Sequence, residues 1–121
     1  ISEVRQLFQM LYDARRVAPP DSYNYFEKTR TITVFETLFA TGVRISELCS
    51  LKTNSLNLVS GEIKVNGKGR KERIIYIGNP DTMDVLREYN ALAKGRRQKF
   101  KSDFFFINRL GCLRLLGSGT W

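Results

Sequence analysis

An α+β domain, mainly helical with a small three-stranded antiparallel sheet, is the fold class this sequence predicts. Three observations carry the prediction. Apolar residues recur at three- and four-residue steps on both sides of the chain's middle, and between Leu56 and Ile77 the period drops to two. The third is length: 121 residues make one domain, enough to bury about two thirds of the surface an unfolded chain exposes.

Taken in order, Ser2 caps a first helix in which Val4, Leu7, Phe8, Leu11 and Ala14 share one face, and Pro19-Pro20 ends it. Residues 21–28 are polar and aromatic and read as a loop or one helical turn, with Tyr23, Tyr25 and Phe26 covering core edges. A second helix is predicted over 29–41, with Ile32, Phe35, Leu38 and Phe39 inward and Gly42 as its left-handed terminator. Its β-branched content makes it weak in isolation, so it has to be buried. A third helix over 44–51 groups Ile45, Leu48 and Cys49, which makes Cys49 a small core residue. Leu56 and Leu58, a Ser60-Gly61 turn, then Ile63 and Val65 read as a hairpin, and a third strand at 73–77 follows the loop 67–71. Asn79-Pro80-Asp81 caps a last helix to about residue 93, with Val85, Leu86, Tyr89 and Leu92 inward. Residues 94–101 read as a basic connector, 104–107 as a short buried strand, and Asn108-Arg109 as a turn.

The charge is uneven. The net +8 lies wholly in residues 49–121, where 14 basic side chains face 6 acidic ones, while six of each cancel in residues 1–48. Such clusters suit a polyanion, because neutralising phosphates releases counterions, although a solvated basic face is the equal alternative on charge alone. No apolar run approaches the ~20 residues that cross a bilayer. Cys49 and Cys112 fit neither a disulfide framework nor a zinc site, and the chain has no histidine, so a reduced, cytoplasmic setting is expected and no metal. A nucleotide-binding phosphate loop is excluded, since Gly69 stands where that loop needs a hydroxyl residue after Lys68.

Thr41-Gly42-Val43-Arg44-Ile45-Ser46-Glu47-Leu48 resembles the first arginine box of the tyrosine recombinases, the phage-integrase family. Gly67-Lys68-Gly69-Arg70-Lys71-Glu72-Arg73 resembles that family's lysine hairpin, and the 24 residues between Arg44 and Lys68 match its spacing. The resemblance implies the N-terminal part of a DNA breaking-rejoining catalytic domain over 1–121. Such an enzyme is a site-specific recombinase or integrase. It cuts one strand at a time by tyrosine attack on phosphorus, leaving a 3′-phosphotyrosine, without metal or cofactor. Its partner is double-stranded DNA, and the full-length protein would form a synaptic tetramer.

On this resemblance Arg44 and Lys68 are the catalytic residues. Arg44 grips the non-bridging oxygens of the scissile phosphate, a task suited to a planar fork that stays charged. Lys68 protonates the leaving 5′-oxygen, helped if nearby cations lower a pKa ordinarily near 10.4. Glu47, three residues beyond Arg44, is a supporting residue expected to orient its guanidinium. Arg70, Lys71 and Arg73 are expected to contact DNA. The family's HxxR box and nucleophile match nothing here, since the chain has no histidine and none of Tyr12, Tyr23, Tyr25, Tyr76 and Tyr89 stands at the nucleophile's position. An incomplete domain, inactive alone and prone to self-association, is therefore expected. The alternative is a non-catalytic DNA-binding module, with residues 45–51 in a helix-turn-helix and the basic hairpin on the backbone.

Overall fold

The structure, a computed structural model, describes residues 2–66 and 71–107, Ser2 by its backbone alone; the expected Ser2 side-chain cap, the loop residues 67–70, the Asn108-Arg109 turn and all that follows lie outside the description. Among the described residues the order is α1 (Ser2–Arg16), α2 (Tyr23–Thr41), α3 (Ile45–Cys49), β1 (Leu56–Asn57), β2 (Glu62–Asn66), β3 (Glu72–Tyr76) and α4 (Pro80–Phe100). The predicted α+β class is the one observed: helices pack around a three-stranded antiparallel sheet of order β1-β2-β3.

α2 starts earlier than its composition suggests. Ser22 is extended at the N-cap and its hydroxyl accepts the Tyr25 N–H at 3.1 Å, a cap that stabilises by about 1 kcal/mol, so the expected loop at 21–28 is largely the helix's first turns. The buried face also differs from the expected stripe. Phe26, Thr29, Arg30, Ile32, Thr33, Val34 and Thr37 are buried, whereas Phe39 is 57% exposed. Threonine can line a core here because the helix itself satisfies the hydroxyls of Thr33 and Thr37. Thr33, Thr37 and Thr41 donate to the carbonyls of Thr29, Thr33 and Thr37 at 2.7, 2.8 and 2.7 Å.

In the sheet, Val65 pairs with Arg73 and Ile63 with Ile75, so these four side chains share the core-facing side, and Glu62, Lys64, Ile74 and Tyr76 share the other. Val65 and Ile63 are buried; Ile74 and Tyr76 are exposed. The β1–β2 connection turns on Gly61, at φ 83°, where an added Cβ would stand 2.6 Å from the Ile77 carbonyl oxygen. Gly61→Ala is therefore expected to destabilise by about 2 kcal/mol, measured as a lower urea midpoint with an unchanged slope.

α4 runs two turns further than predicted. Asn79 caps it by accepting the Asp81 N–H at 2.9 Å, and it ends at Phe100 with Lys101 left-handed at φ 54°. The basic run was expected to be a connector, but helical spacing sorts its cations. Arg97 turns into the core, Arg96 lies over the Tyr23 and Phe26 rings at 4.9 and 4.7 Å, and Lys94 and Lys99 face solvent.

Residues 105–107 are buried as expected and Phe104 is half-buried, but the segment is not a strand. Only the Lys52–Phe104 bridge pairs them in β fashion, while Phe105, Phe106 and Ile107 sit at 1%, 0% and 0% exposure. Side chains meet most of their backbone's demand for hydrogen bonds. Arg97 donates to the carbonyls of Phe104 and Phe105 at 3.0 and 2.8 Å, Arg30 to that of Ile107 at 3.0 Å, and the Ile107 N–H donates to the Tyr89 hydroxyl at 2.9 Å. The Phe105 N–H reaches the Leu51 carbonyl at 2.9 Å. Burial is the main cause that pushes the Tyr89 phenol up to about 12. The segment closes a core shared by α2, α3, β2 and α4.

Candidate nucleic-acid interface

Each residue of 41–44 has a separate physical task in presenting Arg44. Thr41 donates to Thr37 and its hydroxyl accepts the Val43 N–H at 3.3 Å. Gly42, at φ 71°, ends α2 as predicted and donates to the Leu38 carbonyl at 2.8 Å. Val43 is buried in the core, which fixes the turn. Arg44 is then extended at the N-cap of α3 and exposed, and its guanidinium makes no hydrogen bond or salt bridge among the described residues. Leu48 and Cys49 anchor the other side of α3, at 1% and 4% exposure. Burial pushes the Cys49 thiol up to about 11, which fits the expected inert core cysteine.

Glu47 does not meet the expectation that it orients the Arg44 guanidinium. Its carboxylate accepts the Arg44 backbone N–H at 3.0 Å and binds the guanidinium of Arg73, whose Nη1 and Nη2 stand 3.0 Å from Oε2 and Oε1. The first contact is the helix-side half of a capping box; the second is a bidentate pair between α3 and β3. The Arg73 hydrogen bonds, then the Arg44 N–H, hold the Glu47 carboxyl below the usual glutamate range, and Glu47 holds Arg73 above its own. A carboxyl lowered by folding adds stability above its ordinary pKa and loses it only as pH falls through the lowered value, so the pair persists into mild acid.

Arg73, expected to contact DNA, is half exposed and its fork is paired with Glu47. The signal for that pairing was alternation: Arg73 precedes Ile75 and Ile77 by two and four residues, so it takes the core-facing side of β3 and meets α3. Lys71 is exposed beside β3. Lys68 and Arg70 lie outside the described residues; Lys68 follows Asn66, the end of β2, by two residues in sequence.

The tyrosines have settled partners. Tyr12 and Tyr25 donate to Glu36 and Glu88 at 2.9 and 2.7 Å. Tyr12 is held above its ordinary pKa first by burial, and Tyr25 first by its hydrogen bond to Glu88. Tyr89 is enclosed, Tyr23 packs on Phe26, and Tyr76 pairs in register with Glu62, at the end of the β2–β3 ladder away from the hairpin connection. Among the described residues no group of His, Cys, Asp and Glu could hold a metal ion, and no helix is long and apolar enough to cross a membrane.

The model of the phage integrase family matches residues 4–115. The tyrosine recombinase XerD of Listeria monocytogenes serotype 4b is 46% identical over 90 residues, which cover 73% of this chain and 30% of that one. A tyrosine recombinase of Agathobacter rectalis is 45% identical over 75 residues, covering 62% of this chain and 24% of its own. XerC of Thermodesulfovibrio yellowstonii is 35% identical over 108 residues, 86% and 36% of the two chains. The chain thus spans between a quarter and just over a third of these relatives' lengths. Among solved structures, the XerH site-specific recombinase bound to a palindromic difH substrate, a post-cleavage complex, superposes with a TM-score of 0.62 at 21% identity over 89% of this chain and 30% of that one, a likeness of fold. With a family model spanning nearly all of its length and a shared fold, the chain belongs to the phage integrase family.

Proposed function

We propose that this chain is part of the catalytic domain of a site-specific DNA recombinase and supplies two cations to one phosphodiester. Arg44 binds the non-bridging oxygens, and Lys68, from the β2–β3 connection, serves as proton donor to the leaving 5′-oxygen. The observation that carries the reading is the presentation of Arg44: a hydroxyl hook, a left-handed glycine and a buried valine hold an exposed guanidinium, uncommitted among the described residues, at the N-cap of α3. Holding a charged fork in water by so rigid a turn gains no packing. It suits an incoming dianionic or monoanionic oxygen group, which the fork meets with two parallel hydrogen bonds. The pair linking α3 to β3 further supports the reading, because it joins the arginine's helix to the hairpin that carries Lys68.

Chemistry also needs a nucleophile, and the chain's own tyrosines do not supply one in this reading. Tyr12 and Tyr25 donate into carboxylates and Tyr89 is buried, so each is kept protonated. The chain is proposed to bind DNA without cleaving it. Fluorescence anisotropy with a labelled duplex tests the first half: Arg44→Gln is expected to weaken binding about tenfold, the scale of one charge-assisted contact pair, and unchanged affinity would sink the phosphate-site reading. Incubation with a nicked suicide substrate tests the second half. No covalent protein–DNA species is expected on a denaturing gel, and its appearance would overturn the claim of inactivity.

A further inference from the structure

Glu47 follows Arg44 by three residues, a spacing at which a carboxylate and a guanidinium on one helix can meet. Left to that geometry, Glu47 would turn onto Arg44, and a DNA phosphate would have to compete with an internal carboxylate for the same fork. The structure holds Glu47 elsewhere. Both its oxygens are taken by the Arg73 guanidinium at 3.0 Å, and one of them also accepts the Arg44 backbone N–H. Arg73 can do this because β-strand alternation aims it at α3 from opposite Val65, at the hairpin end of the ladder. The Glu47 side chain is 11% exposed and that of Arg73 48%, so the carboxylate is the enclosed partner and the arginine covers it from outside.

We infer that Arg73 is a positioning residue: its fork withholds Glu47 from Arg44, which keeps the Arg44 guanidinium free for phosphate, and it ties α3 to the strand leaving the lysine hairpin. This rests on the phosphate-site reading above. It assigns Arg73 a role opposite to a DNA contact, since its effect on phosphate runs through Glu47. Charge bookkeeping follows from that role. Alone, Arg44 and Glu47 would cancel; with Arg73 present, the cancellation falls on Arg73 and Arg44 retains its full charge toward solvent. Lysine at 73 would keep the charge but not the two parallel bonds, so it could hold only one carboxylate oxygen at a time.

The test is a double-mutant cycle on this 121-residue chain, read by anisotropy with a labelled DNA duplex at one salt concentration. Arg73→Gln is expected to lose most of what Arg44→Gln loses, about tenfold. Glu47→Gln is expected to change affinity less than about twofold while Arg73 is present, and to restore about tenfold in the Arg73→Gln background. The double variant has the parent's net charge, so general attraction to a polyanion does not explain the recovery. Equal factors for Glu47→Gln in the two backgrounds, or no loss in Arg73→Gln while Arg44→Gln loses binding, overturn the inference alone. Unchanged binding in Arg44→Gln overturns the phosphate-site reading and the inference with it. Circular-dichroism melts of all variants guard against unfolding: Arg73 is half exposed, and a loss of binding that tracks a collapsed melting transition counts as structural and overturns the inference.

Discussion

Arg97→Met will lower the free energy of unfolding by about 3 kcal/mol, among the largest effects available to one substitution in this chain. Arg97 is 7% exposed and its three donating nitrogens each have a different acceptor: Nε the Phe104 carbonyl at 3.0 Å, Nη2 the Phe105 carbonyl at 2.8 Å, and Nη1 the Asn90 side chain at 2.7 Å. Its charge centre also lies 4.9 Å from the Phe105 ring centroid. Methionine fills most of the volume but donates nothing, so two carbonyls of an irregular buried segment would lose their partners, at about 1–3 kcal/mol each. Measured by urea denaturation, the midpoint falls while the slope holds; in a thermal melt the loss corresponds to roughly 15 °C. A change below about 1 kcal/mol would show that water replaces the guanidinium and that the segment does not depend on it.

Arg30→Met is expected to cost a similar amount, about 3 kcal/mol, for a related reason. Arg30 is 0% exposed, donates to the Ile107 carbonyl at 3.0 Å, and has Glu27 one turn back at 3.9 Å. Removing the cation leaves a buried carbonyl and weakens the neutralisation of a half-buried carboxylate. The contrast is Lys52→Met. Lys52 and Asp103 form an exposed pair, 44% and 70% exposed, and losing it should cost less than about 1 kcal/mol. Because Arg30 and Arg97 both hold residues 104–107, their double variant should lose less than the sum of the singles: once one arginine has released the segment, the other has less to hold. Strict additivity in the urea cycle would show two independent sites instead.

These two arginines also show where the sequence stopped being legible. Among the described residues apolar periodicity located the four longer helices and strands β2 and β3, because most of them carry Leu, Ile, Val or Phe at the spacing of one face. It failed where polar residues face inward. The threonines of α2 looked like a weakness of the helix, yet the hydroxyls of Thr33 and Thr37 are satisfied one turn back, so their burial costs little; Phe39, predicted inward, lies outside that stripe. Residues 94–101 read as a basic connector because one cation among several was a core residue, and a count of charges cannot tell inward from outward. At the site, the arginine box was readable as local chemistry: hydroxyl, glycine, apolar anchor, cation. The partner of Glu47 was not, because it lies 26 residues away and only the register of β3 brings it there.

α1 has no fully buried residue among those described, and it reaches the body through a half-buried apolar face and a few polar hooks. Tyr12 donates to Glu36 on α2, Arg15 bridges to Glu88 on α4 at 3.0 Å, and Phe8 meets Phe39 edge-on. The apolar cluster begins at Phe26 and runs to Ile107 without it. The leading helix is thus an attachment whose peeling away uncovers a half-buried face and leaves the main apolar cluster shut. A tug or torque arriving through the amino-terminal end would be absorbed by that joint before it disturbed the turn presenting Arg44.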